Sequence, residues 1–345
     1  MAPFGLGKQK TTVGLDIGSG LIKVVVIDHS QEEPELTYVA TTPVLADAIV
    51  EGEVMDPAVL SEAIKGLFTG LKQKRVVIAV GGRDVIVKRI QVDRMKESDA
   101  AEVVRWEAQQ HVPFDVEGVE LDFQVLDPDG DGLQMDVLLV AAKRELVETK
   151  ITILADAGLQ AETVDVDAFA LHNAFEHNYP EAMEGVVAVA NVGHEVTNVN
   201  LLEDGVPLLS RDLSVGTRKF REDLQRDLGM SAEDADGILV SGEPRPELQP
   251  YVETRGEEIA VGMERAAAFL QAASRDAPGI QQVFMSGGGA RVHGLKEALS
   301  SRLGLPVEIA NPLQRLQVSE GVFDTMDVDA ISPLLMLGVG LALRV

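Results

Sequence analysis

No cysteine occurs in this chain. Disulfide bonds, thiolate nucleophiles and cysteine-based zinc sites are therefore excluded, and a cytoplasmic location suits the absence. Aromatic residues are scarce, at 4% of 345 positions, so Val, Leu, Ile and Ala must fill most of the core. Cations are short against anions: 30 Lys and Arg face 56 Asp and Glu, for a formal charge of −26. Nucleic acid is gripped by dense Lys and Arg, so no nucleic-acid partner is expected. A bare anionic membrane surface is repelled for the same reason. Long apolar runs are missing as well. The most apolar stretch, SPLLMLGVGLALRV at 332–345, is shorter than the ~20 residues that span a bilayer. It reads as a buried terminal helix, and no direct membrane insertion is expected. The opening MAPFGLGKQK has no signal-peptide core. None of the six histidines, at 29, 111, 172, 177, 194 and 293, has the spacing of a metal site.

What is present describes a folded α/β chain long enough for about two domains. GLDIGSGLIKVVVID reads as two strands across a glycine turn, with Asp16 before it and Lys23 after it. Gly18 and Gly20 would let backbone amides approach an anion that a Cβ would block, Ser19 adds a hydroxyl, and Lys23 adds a point charge. Asp16 cannot touch a phosphate, but it can hold water around Mg²⁺. Alone, the segment could equally be a solvated hairpin. The grammar recurs at an offset of 175, which lays Asp16 over Asn191 and Gly18 over Gly193 in VANVGHEVTN. Thr197 and Asn198 are small donors there, while His194 and Glu195 read as solvated turn side chains. A third glycine site, FMSGGGARVHGL, runs a buried strand into Gly287, Gly288 and Gly289 and then Arg291. A base or ribose could lie against that bare backbone. It has neither the ending of a P-loop nor the dinucleotide spacing. Two related openings and a third glycine turn suggest a cleft between similar halves.

In that order the motifs resemble the actin-like ATPase superfamily. DIGSGLIK, with Asp16, Gly18, Ser19, Gly20 and Lys23, looks like its first phosphate loop. ANVGHEVTN resembles the second phosphate loop and SGGGARVHGL the adenosine motif, while DVDAFALHNAF and SPLLMLGVGLAL resemble the two connecting helices. The stretches VVRWEAQQHVPFDVEGVELDFQVLD and MDVLLVAAKRELV are similar to the PilM family of type IV pilus assembly proteins, actin-like relatives of FtsA. The resemblance implies an α/β, actin-like fold of two duplicated ribonuclease-H-like halves with an FtsA-type α+β insertion. The implied subdomains are 1–85 with 145–185 and 331–345, the insertion at 86–144, 186–210 with 275–330, and 211–274. It further implies ATP and Mg²⁺ in the central cleft. The implied partner is the N-terminal cytoplasmic tail of PilN in the pilus inner-membrane platform, with the chain peripheral to the inner face of the membrane.

Several positions depart from the superfamily pattern. Asn191 stands where many relatives place a second carboxylate, and Thr217 follows Gly216 where a second glycine is usual. Asp236 could replace the acidic ribose contact, but Leu239 stands where a lysine is expected near the adenosine. Nucleotide binding with slow or negligible hydrolysis is the expectation. A partner groove is placed beside VVIAVGG and VIVKRIQV, where Arg83, Lys88 and Arg89 add positive charge, and Trp106 is assigned to the core. Two other readings stay open. One is an FtsA-like polymerising protein with self-association, disfavoured because no amphipathic tail follows Val345. The other is a small-molecule kinase using Asp165 or Asp167, both of which read better as connecting-region carboxylates.

Overall fold

The structure, a computed structural model, describes residues 11–344 apart from 129, 242–244 and 274–278. The opening decapeptide, one residue of the DPDGDG segment at 127–132, which the sequence marks as a turn, and residue 274, where it marks the end of a long helix begun near 247, lie outside that range. β1 (Thr11–Ile17) and β2 (Leu21–Asp28) pair antiparallel across the first glycine turn, and β3 (Glu35–Pro43) extends the meander. A short ladder of β4 (Ile49–Val50) and β5 (Glu53–Val54) leads into α1 (Pro57–Leu67). Asp56 caps α1 by accepting from the Val59 N–H at 3.1 Å, with Pro57 in the first turn. β6 (Arg75–Val80) then runs parallel to β1.

The insertion follows as β7 (Val85–Asp93), α2 (Glu97–His111), β8 (Val119–Val125) and β9 (Gln134–Lys143). The chain returns through α3 (Arg144–Asp156), β10 (Gln160–Val166) and α4 (Asp167–Asn178). A second meander is built from β11 (Val186–Val192), β12 (Thr197–Glu203) and β13 (Val206–Leu213). Helices α5 (Thr217–Leu228), α6 (Ala232–Leu239) and α7 (Gln249–Ala273) come next. They precede β14 (Gln282–Ser286), α8 (Leu295–Leu303) and β15 (Val307–Ile309). The described chain closes with β16 (Gln317–Val318), α9 (Val328–Ile331) and α10 (Met336–Ala342).

The two sheets repeat one order. The first runs β10-β6-β1-β2-β3-β16, and the second begins β15-β14-β11-β12-β13. The inner strands β1, β2, β6, β11, β12 and β14 bury both faces. Val13, Leu15, Val24 and Val26 point into an outer core, while Val25 and Ile27 point into a central one. Likewise Val187 and Val189 join the central core while Ala188 and Ala190 face the far side. This period-2 division is why the strands read as continuous apolar runs. Helices α4 and α10 fill the centre between the sheets. Their approach depends on glycine: a Cβ at Gly14 would strike the Gly338 carbonyl, and one at Gly340 would strike the backbone of Ala170.

Three features were not anticipated. The segment after β15 adds β16 beside β3, extending the first sheet. The insertion is not a free-standing unit, because β7 joins β13 through the Lys88–Leu209 bridge and so continues the second sheet. Trp106 is not in the core; it is 59% exposed. The stripe Ala100, Val104 and Ala108 is the buried one. Trp106 lies two residues from Val104 and thus on the opposite face of the helix.

Candidate functional site

Both glycine hairpins open onto one cleft of about 1460 Å³ between the halves. Gly18, Ser19 and Gly20 form one wall, flanked by Asp16 and Lys23. Asp16 and Lys23 stand directly opposite across β1 and β2, and their side chains form an ion pair at 2.7 Å, only 10% and 12% exposed. Lys23 is therefore already neutralised by Asp16, rather than a lone charge awaiting an anion. Gly193 faces this wall from the second hairpin, with Asn191 and Asn198 opposite each other across β11 and β12. The Asn191 amide donates to Asn198 Oδ1 at 3.2 Å.

Gly287, Gly288 and Arg291 line the same cleft from the turn after β14. Asp236 reaches it from α6, where Arg221 donates to its carboxylate at 3.2 Å. Three expected residues sit behind the surface instead. Thr197 is fully buried and donates its hydroxyl to the Val215 carbonyl at 2.6 Å. Gly216 and Gly289 allow close packing against the His194 backbone and the Val192 side chain.

The two phosphate-loop candidates touch. A Cβ at Gly20 would lie 2.9 Å from that of His194. His194 is thus half-buried rather than solvated, with Nδ1 3.3 Å from Thr217 Oγ1 at the start of α5. Burial pushes its pKa below the ordinary 6.5, so the ring is neutral near pH 7. Glu195, beside it, accepts from Arg218 at 2.7 Å, and Arg218 also reaches Glu222 at 2.8 Å and Asp47 of the first half at 3.2 Å. One guanidinium thereby ties the halves across the mouth of the cleft.

Asp167, at the first turn of α4, lines the cleft too. Burial, with help from Asp212, Asp16 and Asp165 and against Lys150, raises its pKa from 3.8 to about 6. The sequence had one pointer to it that carried too little weight: it follows a strand that leads straight into a helix, and side chains at the carboxyl ends of parallel strands face the crevice of open α/β sheets. Asp165, by contrast, points away and pairs with Arg344 at 3.1 Å. Of the groove cations, Arg83 and Lys88 border the cleft. Arg83 pairs with Glu53 at 2.5 Å and Arg89 with Asp136 at 2.5 Å, while Lys88 approaches His111 Nδ1 at 3.2 Å.

Two duplicated halves closing on paired glycine hairpins define an actin-like fold. Solved structures of this fold include ethanolamine utilization protein EutJ from Carboxydothermus hydrogenoformans, at 18% identity and TM-score 0.59, covering 98% of this chain and 91% of that one. MreB5 of Spiroplasma citri bound to ADP is another, at 12% identity and TM-score 0.53, covering 97% and 95%. The chain belongs to the type IV pilus assembly protein PilM family, whose match spans residues 14–345. A chain of a solved PilM-PilN type IV pilus biogenesis complex is 29% identical and superposes with TM-score 0.86, covering 98% of this chain and 99% of that one.

Proposed function

We propose that this chain is an ATP-binding scaffold of the type IV pilus inner-membrane platform, and that it binds the N-terminal cytoplasmic tail of PilN. The observation that carries the reading is the end-to-end likeness to a chain of a PilM-PilN complex. The protein works at the cytoplasmic face of the inner membrane, held there through its partners. Among the described residues no helix is long and apolar enough to cross a membrane.

The cleft suits a nucleotide. Gly18 and Gly193 both line the cavity, and an added Cβ at either would meet a carbonyl oxygen of its own turn, at 2.9 and 2.8 Å. In this reading Gly18, Ser19 and Gly20 donate to the phosphates, Gly193, whose N–H is taken by the Val196 carbonyl, permits their close approach, Asp236 meets the ribose, and Gly287, Gly288 and Arg291 flank the base. Asp16, oriented by Lys23, holds water of a hydrated Mg²⁺. The bound cation supplies the positive charge that a −26 chain lacks. Hydrolysis is slow or negligible: position 191 offers an amide, which cannot take a proton from water, and Asp16 is engaged by Lys23. Asp167, with its pKa near 6, is the carboxylate we assign to any residual turnover.

The PilN tail lies along β6 and β7, where Lys88 has no carboxylate partner among the described residues. Titration of the protein with the PilN N-terminal peptide, with and without Mg·ATP, tests the proposal. Binding of both is expected, with phosphate release far below that of metabolic kinases. Kinase-like turnover, or no binding of either ligand, would overturn it. Unchanged peptide affinity after charge reversal at Lys88 and Arg89 would move the groove elsewhere.

A further inference from the structure

Four polar residues stand side by side across four neighbouring strands at the cleft end of the second sheet. Ser286 on β14 is in register with Asn191 on β11, Asn191 with Asn198 on β12, and Asn198 with Asp212 on β13. Their side chains are linked in the same order. The Ser286 hydroxyl donates to Asn191 Oδ1 at 3.2 Å, Asn191 Nδ2 donates to Asn198 Oδ1 at 3.2 Å, and Asn198 Nδ2 donates to Asp212 Oδ1 at 2.7 Å. Burial raises the pKa of Asp212, and the hydrogen bonds from Asn198 and from the Gly82 backbone N–H, just before the insertion, work against that rise.

We propose that this row acts as one unit, in which Asp212 is a positioning residue that sets which way the Asn191 amide faces the cleft. The reason is the donor inventory. A carboxylate only accepts, so Asn198 must turn its NH₂ toward Asp212 and its carbonyl toward Asn191. Asn191 must then present its NH₂ to Asn198 and its carbonyl to Ser286, whose hydroxyl can donate. One charge at the end of the row thus orders every group along it. An amide at 191 is required by this polarity. A carboxylate there would set acceptor against acceptor at Asn198 while Asp212 remained ionised. β13 is also the strand that bridges to β7, so the row ends on the strand that holds the insertion. The role assigned to the cleft rests on the nucleotide reading; the polarity of the row does not.

Moving the charge from one end to the other tests it. Asn191→Asp, which sets a carboxylate against the Asn198 carbonyl, and Asp212→Asn, which exchanges the charged acceptor for a neutral amide oxygen and frees the order of the row, should each speed backbone amide exchange of the second hairpin turn, 192–198, by about tenfold. In the double variant Asn191→Asp/Asp212→Asn the row can re-form with reversed polarity. The amide introduced at 212 donates to Asn198, which turns to donate to position 191. Exchange should then return to within about twofold of the parent, a non-additive rescue that simple loss of packing does not produce. Double-variant exchange equal to or faster than the sum of the two single effects would overturn the proposal, as would single variants that exchange like the parent. Mg·ATP binding measured on the same proteins separates the two readings. If none of them, the parent included, binds Mg·ATP while the rescue holds, the row stands and the nucleotide reading falls. If the parent binds Mg·ATP but no rescue occurs, the reverse is true.

Discussion

The two glycine hairpins share a backbone and differ in what holds them. β1–β2 and β11–β12 pair over identical registers at an offset of 175, from Thr11 and Val186 to Ile17 and Val192. At the position facing the cleft the first hairpin sets Asp16 against Lys23, and the second sets Asn191 against Asn198. A charged pair suits work beside a hydrated cation, where a fixed carboxylate is needed and its own counter-charge keeps it ionised. An amide pair suits a wall that should donate and carry no charge. The duplication therefore keeps the frame and divides the electrostatic labour.

The largest expected effect probes this division. Lys23→Met leaves Asp16 unpaired at 10% side-chain exposure, and an uncompensated buried charge costs about 3–5 kcal/mol. Asn198→Ala removes one charge-assisted and one neutral hydrogen bond, a loss of about 2 kcal/mol. Urea unfolding of the two variants measures the difference. Equal losses would mean that the ion pair contributes no more than the amide pair, and the comparison would break.

A second prediction concerns Asp167, which feels Asp16 of the first hairpin and Asp212 beside the second. Burial chiefly raises its pKa from 3.8 to about 6, so the folded chain holds this proton more tightly than the unfolded chain. Ionising it then opposes folding. That penalty is absent below pH 3.8, grows between 3.8 and about 6, and is complete above, on the order of 3 kcal/mol at most. Asp167→Asn should raise Tm above pH 6 and leave it nearly unchanged at pH 4. A shift of the same size at both pH values would show that the carboxylate is not destabilised where it stands.

The duplication was legible because it is local: strand, glycine and strand lie close together in each half, and hydrophobic runs mark both. The buried terminal helix was legible for the same reason. What escaped was lateral. Ser286 and Asp212 come beside Asn191 and Asn198 only through sheet order, across 95 residues in the case of Ser286 and Asn191. Periodicity along one strand says nothing of the neighbour on the next. Lys23 was read as a free cation although a seven-residue separation across a tight hairpin makes it the direct neighbour of Asp16. Trp106 was readable. The spacing of Ala100, Val104 and Ala108 already marks the buried face of α2, and the indole falls off it. The solvated reading of His194 failed because the first hairpin closes over it, a contact between halves that no local pattern announces.

The smallest expected effect tests whether the frame itself is truly shared. Gly18 and Gly193 occupy equivalent turn positions, and an added Cβ would meet the Leu21 carbonyl at 2.9 Å or the Val196 carbonyl at 2.8 Å. Both obstacles are backbone of the same tight turn, so neither can swing aside. Gly18→Ala and Gly193→Ala should each cost about 1–2 kcal/mol, the scale of modest overpacking, and agree within error. Gly20→Ala is the contrast: its Cβ would meet the Cβ and Cγ of His194 at 2.9 Å, an obstacle on the facing hairpin that only a shift of one half against the other relieves, and its cost should stand apart from that of both. Thermal unfolding of the three variants gives the order. If Gly18→Ala and Gly193→Ala differ by more than the gap to Gly20→Ala, the two turns are not held alike, and the register they share does not extend to their tips.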